Sequence, residues 1–308
     1  MAEDVSEQST IRSEPNGGSR VWGYRYLVCP PRYFDVRYSI NPWMDPNETV
    51  DRELAHDQWT RLVATLREAG AKLDELEPLP DHPDAVFTAN HGIVDGHTFW
   101  PARMRHPERA AEVAHAAHWF DRNNWSVADP APDAVQEGAG DALPFAGTLV
   151  AGYGMRSDRL AYGELARRTG WPILPVRLTD PAFYHVDVAF CPLDDRSALI
   201  VPSAFSDEAL RRLRRLVPDP VLLTDEEGLA FAANSVVVGH RIVMPHCSPR
   251  LGRLLDERGF DVAVCDVSEF RKAGGGCRCL TLALDTDLPT GHGSRPETDT
   301  LAGKGAAE

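Results

Sequence analysis

The sequence predicts an α/β protein built from five ββαβ units with pseudo-fivefold symmetry. Three observations lead there. Short apolar strands alternate with amphipathic helices along the chain. The alternation recurs five times between residues 26 and 268, as an internal repeat. Two-residue turn signals place a hairpin ahead of the helix in several copies. A doubly wound parallel sheet also alternates strand and helix, but it needs crossovers only, so the hairpins argue against it.

The first unit reads YLVCPPRYF at 26–34, then a helix over 56–70, HDQWTRLVATLREAG. The second runs from TFWPARM at 98 to a helix ending near 120, then the strand WSVAD. The third runs from TLVAGYG at 148 to RRTG at 170, then WPILPV. The fourth covers 198–217 and leads into PVLLTD; the fifth covers 241–259 and leads into FDVAVCDV. The helices rest on three-and-four spacing, as in Leu210, Leu213 and Val217, or Leu251, Leu254 and Leu255. Gly170 and Gly259 stand where C-caps are expected. Asp95-Gly96 and Gly239-His240 read as the turns of two hairpins.

The chain has 308 residues, 43% of them apolar and 25% charged, which is globular composition with enough length for a large core. Its net charge of −14 argues against nucleic acid or an anionic membrane surface as the main partner. No stretch approaches the ~18 uncharged apolar residues of a membrane helix. The opening MAEDVSEQST has no basic patch before an apolar run, and six cysteines lack a framework spacing, so the expectation is a cytoplasmic protein in a reducing compartment. Residues 1–20 and 288–308 are polar and Gly/Ser/Pro-rich and read as disordered tails around one domain, 21–287. Homo-oligomerisation stays open.

Five segments carry chemistry. In FRKAGGGCRCLTLAL, 270–284, three glycines precede Cys277-Arg278-Cys279 and a strand resumes at Leu280. Glycines let backbone approach a ligand, and a cysteine at such a junction is a candidate nucleophile. A tight turn with two buried thiols is the bland alternative. No GxxxxGK is present, and Cys-x-Cys alone does not complete a zinc site, so no metal is expected. In FYHVDVAFCPL, 183–193, read as a strand, His185 and Asp187 share one face. They read as a general acid/base beside an acid, or as a core histidine with its partner. In EGAGDALPF, 137–145, Glu137 and Asp141 bracket two glycines and suit orienting a base or pairing a cation, with a plain turn as the alternative. In PDAVFTAN, 83–90, Asp84 and Asn90 are read at the start and end of a strand facing a cleft. In GYGMRSD, 152–158, Arg156 can clamp a carboxylate, or simply be a surface arginine.

Together these segments resemble the guanidino-group-modifying enzyme superfamily, over about residues 22–285. The likeness is greatest to its branch of dimethylarginine dimethylaminohydrolases and arginine dihydrolases. It rests on the chain order Asp84, Glu137, Arg156, His185, Cys279, on the FYHxD context and on the late GG…CLTL context. The fold this implies is a five-bladed α/β propeller, in keeping with the five units.

The resemblance also implies roles. Cys279, and not Cys277, matches the nucleophile; His185 matches the general acid/base and Glu137 the acid that orients it. Asp84 matches a carboxylate that binds guanidinium nitrogens, and Asp187 is placed with the substrate-binding groups. Arg156 and Arg109 match arginines that hold the substrate carboxylate. Asn41 and Met44 match a loop that closes over the substrate. The implied substrate is a small guanidino amino acid, attacked by Cys279 to give an S-alkylthiouronium that water releases, with no cofactor. The cation is expected to favour thiolate at Cys279, so selective alkylation near neutral pH is expected. Ala89-Asn90 stands where many dimethylarginine hydrolases carry an acidic pair. An amide accepts and donates at once and suits a neutral ureido group. That points to an arginine dihydrolase giving ornithine, carbon dioxide and ammonia. A dimethylargininase giving citrulline, an amidinotransferase and a non-catalytic binding protein are the alternatives, in that order.

Overall fold

The computed structural model describes residues 23–129 and 134–288. The expected disordered tails lie outside the described residues except for Leu288. That residue is buried, and its N–H donates to Asp95 at 2.7 Å.

The chain opens with β1 (Arg25–Val28), α1 (Arg52–Glu68) and β2 (Lys72–Glu75). Then come β3 (Gly92–Asp95), β4 (Thr98–Pro101), α2 (Ala110–Arg122) and β5 (Ser126–Val127). β6 (Ala142–Phe145), β7 (Thr148–Tyr153), α3 (Arg159–Thr169) and β8 (Ile173–Arg177) follow. After them come β9 (Phe190–Pro192), β10 (Ser197–Ile200), α4 (Asp207–Leu216) and β11 (Asp219–Leu222). The chain ends with α5 (Asp225–Leu229), β12 (Val236–Val238), β13 (Arg241–Met244), α6 (Pro249–Asp256), β14 (Asp261–Val264), α7 (Ser268–Arg271) and β15 (Leu282–Ala283).

The fold is mixed α/β. Among the described residues the strands form five three-stranded sheets. Four repeat one plan: an antiparallel hairpin, a helical crossover, and a third strand parallel to the second. The remaining sheet draws its antiparallel member from the far end of the chain, pairing Tyr26 with Ala283 and Leu27 with Leu282. The first unit therefore has no hairpin of its own in sequence.

Local chemistry accounts for the element ends. The two expected hairpins close at Asp95↔Thr98 and Val238↔Arg241, with Gly96 and Gly239 at positive φ as tight turns demand. α1 starts at Arg52, ahead of the expected 56, because the Asp51 carboxylate accepts the Leu54 N–H at 3.0 Å and caps it. Ser206 and Ser248 cap α4 and α6 in the same way. Gly170 is the left-handed C-cap of α3. Gly259 is not a cap: α6 ends at Asp256, and Gly259 makes the following turn with φ 79°. The apolar periodicity finds its core, with Leu213, Leu251 and Leu255 fully buried in one cluster with Val201, Phe231 and Ile242.

Two expected strands are absent. Residues 83–90 form two 3-10 turns, Pro83–Val86 and Thr88–Asn90. His185 caps a further 3-10 turn, Val186–Val188, and the strand begins only at Phe190. Both segments are buried throughout, and their β-branched and aromatic residues give no period that separates a buried turn from a core strand.

Candidate active site

The chemical side chains sit where the chain leads into the antiparallel strand that begins each hairpin or, in the first sheet, completes it. Asp84 and Asn90 precede β3, Glu137 precedes β6, and His185 and Asp187 precede β9. Cys279 precedes β15. Short 3-10 turns at three of these places bend the backbone inward and carry polar side chains that a straight strand would spread over two faces.

Glu137 is fully satisfied. Its Oε2 receives His185 Nε2 at 2.7 Å and Arg156 Nη1 at 2.9 Å, and its Oε1 accepts the Arg105 N–H at 2.9 Å. Burial alone would raise its pKa, but the His185 hydrogen bond and the charges of His185, Arg156 and Arg109 outweigh burial and hold it well below the usual carboxylate range. A carboxylate on Nε2 holds a ring proton there, which leaves Nδ1 as the nitrogen where a second proton comes and goes. Nδ1 points at the Asn90 amide, 3.4 Å from Nδ2. Gly140 makes the room, since a Cβ there would lie 2.2 Å from Asn90 Nδ2.

The Cys279 sulfur is held by side chains and by a hydrogen bond with the Gly276 backbone. Asn234 Nδ2 donates to it at 3.1 Å, and the Asp187 carboxylate lies 3.5 Å away. Burial, followed by the Asp187 charge, pushes the thiol well above its ordinary pKa. The expectation of a low-pKa thiol is thus corrected: burial and the Asp187 carboxylate favour the thiol at Cys279. Burial likewise pushes Asp187 up to about 7 and Asp84 up to about 6, the latter against the lowering charge of Arg109. Asp84 Oδ2 receives the Tyr38 hydroxyl at 2.8 Å. Asp84 Oδ1 and Asp187 Oδ1 are buried with no hydrogen-bond partner. Carboxylate oxygens kept dry and unpaired are costly unless a donor arrives.

Cys279, Asp84, Asn90, Arg109, Arg156 and Asn41 line one cavity of about 10 Å³, roughly the room of one water. Met44 is not among its lining residues; its side chain packs with Phe34, Phe87 and Phe270 in an apolar cluster. Asn41 Nδ2 donates to the Ala273 carbonyl at 3.0 Å and Arg156 Nη2 to the Ile40 carbonyl at 2.9 Å, so the loop around 40 is closed over the site. Arg156 also lies over the Tyr184 ring, 4.9 Å from its centroid. Arg109 is tied to Glu112 through Nε at 3.0 Å and Nη2 at 2.9 Å, and its Nη1 donates to Asn90 Oδ1 at 3.1 Å. Both arginines face the cavity while bonded within the protein. Among the described residues no group of three or more His, Cys, Asp or Glu side chains is arranged to hold a metal ion.

Sequence reasoning brought together Cys279, His185, Glu137, Asp84, Asn90, Asp187, both arginines and Asn41. It missed Asn234, Tyr38 and Glu112. A signal for Asn234 was present: FTAN at 87–90 and FAAN at 231–234 are repeat-related.

No family model matches the chain. A dimethylarginine dimethylaminohydrolase of Mycobacterium tuberculosis is 37% identical over 260 residues, 84% of this chain and 85% of that protein. The bifunctional arginine dihydrolase/ornithine cyclodeaminase ArgZ of Synechocystis is 38% identical over 274 residues, 87% of this chain and 39% of that protein. This chain thus spans about two fifths of ArgZ. Among solved structures, the N-terminal domain of ArgZ bound to substrate is similar with a TM-score of 0.83 at 37% identity, covering 86% of this chain and 99% of that one. A dimethylarginine dimethylaminohydrolase adduct with S-methyl-L-thiocitrulline shares the fold, with a TM-score of 0.72 at 19% identity.

Proposed function

The chain belongs to the family of dimethylarginine dimethylaminohydrolases and arginine dihydrolases, and from that premise we propose that it hydrolyses the guanidino group of L-arginine through a covalent intermediate on Cys279. One observation carries the reading. A buried thiol and Asp84, whose Oδ1 is unpaired, line one small cavity, and Asp187, whose Oδ1 is also unpaired, lies against that thiol with Oδ2 3.5 Å from the sulfur. A planar cation with N–H groups on both sides is the ligand that such oxygens lack.

Its arrival changes the charge balance. Guanidinium N–H groups pair with Asp84 and Asp187, both carboxylates ionise, and the positive charge lowers the thiol pKa. The thiol proton passes to His185, the thiolate attacks the CN₃ carbon and a C–S bond forms. His185 gives a proton to one nitrogen, the C–N bond breaks and ammonia leaves. Water then attacks with His185 as base, and citrulline and the thiol are restored. Asn90, an amide where an acid would repel nothing and donate nothing, suits retention of neutral citrulline for a second attack. That round releases a second ammonia and leaves an N-carboxy-ornithine, which loses carbon dioxide.

Arg156 and Arg109 are assigned to the substrate carboxylate, Arg109 with the further task of holding Asn90. The loop around Asn41 must open, because the cavity is far smaller than arginine. We infer one catalytic domain over 21–287, with its five sheets set as propeller blades. The pairing of β15 with β1, which joins the two ends of the chain, supports that closure. Six free cysteines support a cytoplasmic setting.

Incubation with L-arginine and analysis of the products tests the reading. Ornithine with two ammonia per arginine is expected. Citrulline as the stable end product would remove the second round. Turnover of dimethylarginine alone, to citrulline and dimethylamine, would favour the second reading, which the name of the Mycobacterium tuberculosis relative supports. No release from either would refute the proposal.

A further inference from the structure

Asn90 and Asn234 occupy equivalent places in two of the repeated units. Each ends a Phe-x-Ala-Asn segment and stands two residues ahead of the first hairpin strand. In each, the asparagine N–H donates to the carbonyl of that phenylalanine, at 3.1 Å for Asn90 and 2.9 Å for Asn234. Asn90 turns its amide toward His185. Asn234 turns its amide toward Cys279.

The Asn234 amide is buried and fully engaged. Its Oδ1 accepts the N–H groups of Arg278 at 3.0 Å and Cys279 at 3.2 Å. Its Nδ2 donates to the Asp187 carbonyl at 3.2 Å and to the Cys279 sulfur at 3.1 Å. Turned over, the amide would set NH₂ against two backbone donors and oxygen against a carbonyl, so the four bonds select one orientation. The glycine run admits it, since a Cβ at Gly276 would stand 2.7 Å from Asn234 Oδ1.

We propose that Asn234 stabilises the Cys279 thiolate and fixes its sulfur for attack, serving the nucleophile as Asn90 serves the base. This rests on the reading of Cys279 as nucleophile. The contacts of the sulfur oppose one another. The Gly276 backbone N–H and the Asn234 amide N–H favour the thiolate, whereas the Asp187 carboxylate favours the thiol. The carboxylate and burial prevail. A cation paired with Asp187 removes that opposition, and the Asn234 donor remains in place without rearrangement. Asp84, Tyr184, Cys277, Arg278, Arg109 and Arg156 are the other titratable or charged groups near the sulfur, and the test variants leave them unchanged.

The test is the pH titration of the thiolate, read by its ultraviolet absorbance as the difference from Cys279→Ser. Saturating L-lysine supplies a cation with no carbon to attack. Asn234→Asp keeps an oxygen for both backbone donors and removes the donor to sulfur; Asn234→Ala removes both. Each is expected to move the midpoint up by about one unit or more, a tenfold or larger loss of thiolate at a given pH below it. The kcat for arginine should fall with KM little changed. A folded variant with an unmoved midpoint overturns the proposal. In the unaltered protein, the side-chain NH₂ resonances of Asn234 should shift through the same midpoint; resonances that stay still overturn it whether or not the variants fold. If arginine is not turned over while the midpoint still depends on Asn234, the functional reading falls and the role of Asn234 stands.

Discussion

Asp187 and Cys279 face each other at 3.5 Å, carboxylate oxygen to sulfur, in a site sealed from solvent. Asp187 raises the cost of ionising Cys279, on top of burial, while the thiol donates to Asp187 and lowers the carboxyl's pKa against the burial that raises it. This geometry favours the thiol at Cys279, and a cation paired with Asp187 would favour the thiolate.

The pH dependence of binding follows from the carboxylates. Asp187 is pushed up to about 7 and Asp84 up to about 6, both by burial. Below these values both are neutral and cannot pair with guanidinium. The kcat/KM for L-arginine should rise as pH climbs through 6 to 7 and then level. A profile flat across that range would contradict the assignment of both acids.

Stability should run the other way. A carboxylate raised in the folded state contributes stability below its unfolded value, about 4, and that contribution is lost as pH rises through the folded value. Asp187→Asn should therefore raise Tm at pH 8, leave it nearly unchanged at pH 4, and abolish arginine turnover. Thermal melts at the two pH values check this.

Glu137 has the opposite sign. Its folded pKa is depressed, so its contribution to stability is present above about pH 4.3 and is lost as pH falls below that. Glu137→Gln should lower Tm at neutral pH and lower kcat by roughly 10²–10⁴-fold, as loss of an oriented acid/base does. Rate and melting measurements on one preparation test both effects.

Glu112 and Arg109 form a buried pair that no solvent can replace. Glu112→Ala leaves Arg109 with only the more distant Asp84 carboxylate, 3.8 Å away, at a cost of up to about 3–5 kcal/mol. Arg109 would also release Asn90, so the ratio of ornithine to citrulline should fall. Denaturant melts and product analysis give the two readouts.

Much of this was legible in the sequence. Helices and hairpins announce themselves by period and by the turn glycines, whereas the Asp51 cap that starts α1 at Arg52 went unread. Cys279, His185 and Glu137 stood in distinctive contexts. The 3-10 turns at 83–90 and 186–188 were hidden, because no period there separates a buried turn from a buried strand. The pairing of β1 with β15 spans nearly the whole chain and leaves no local trace. Met44 shares the loop of Asn41 but does not line the cavity, and the spacing of INPWMD carries no signal for which of its side chains turns inward.

The loop contact at Gly274 gives a further prediction. Gly274 has φ 83°, and a Cβ there would lie 2.8 Å from the Tyr184 hydroxyl and 2.9 Å from Asn41 Oδ1. Gly274→Ala should push the Asn41 loop off the site, raising KM for arginine more than it lowers kcat. Steady-state kinetics decide it.

The central claim is a bond between Cys279 and the guanidino carbon. Acid-quenched protein, taken during turnover of L-arginine, should carry an added mass equal to arginine less ammonia, located on the peptide that holds residue 279. Ammonia released with no adduct there, or an adduct on Cys277, would contradict the account.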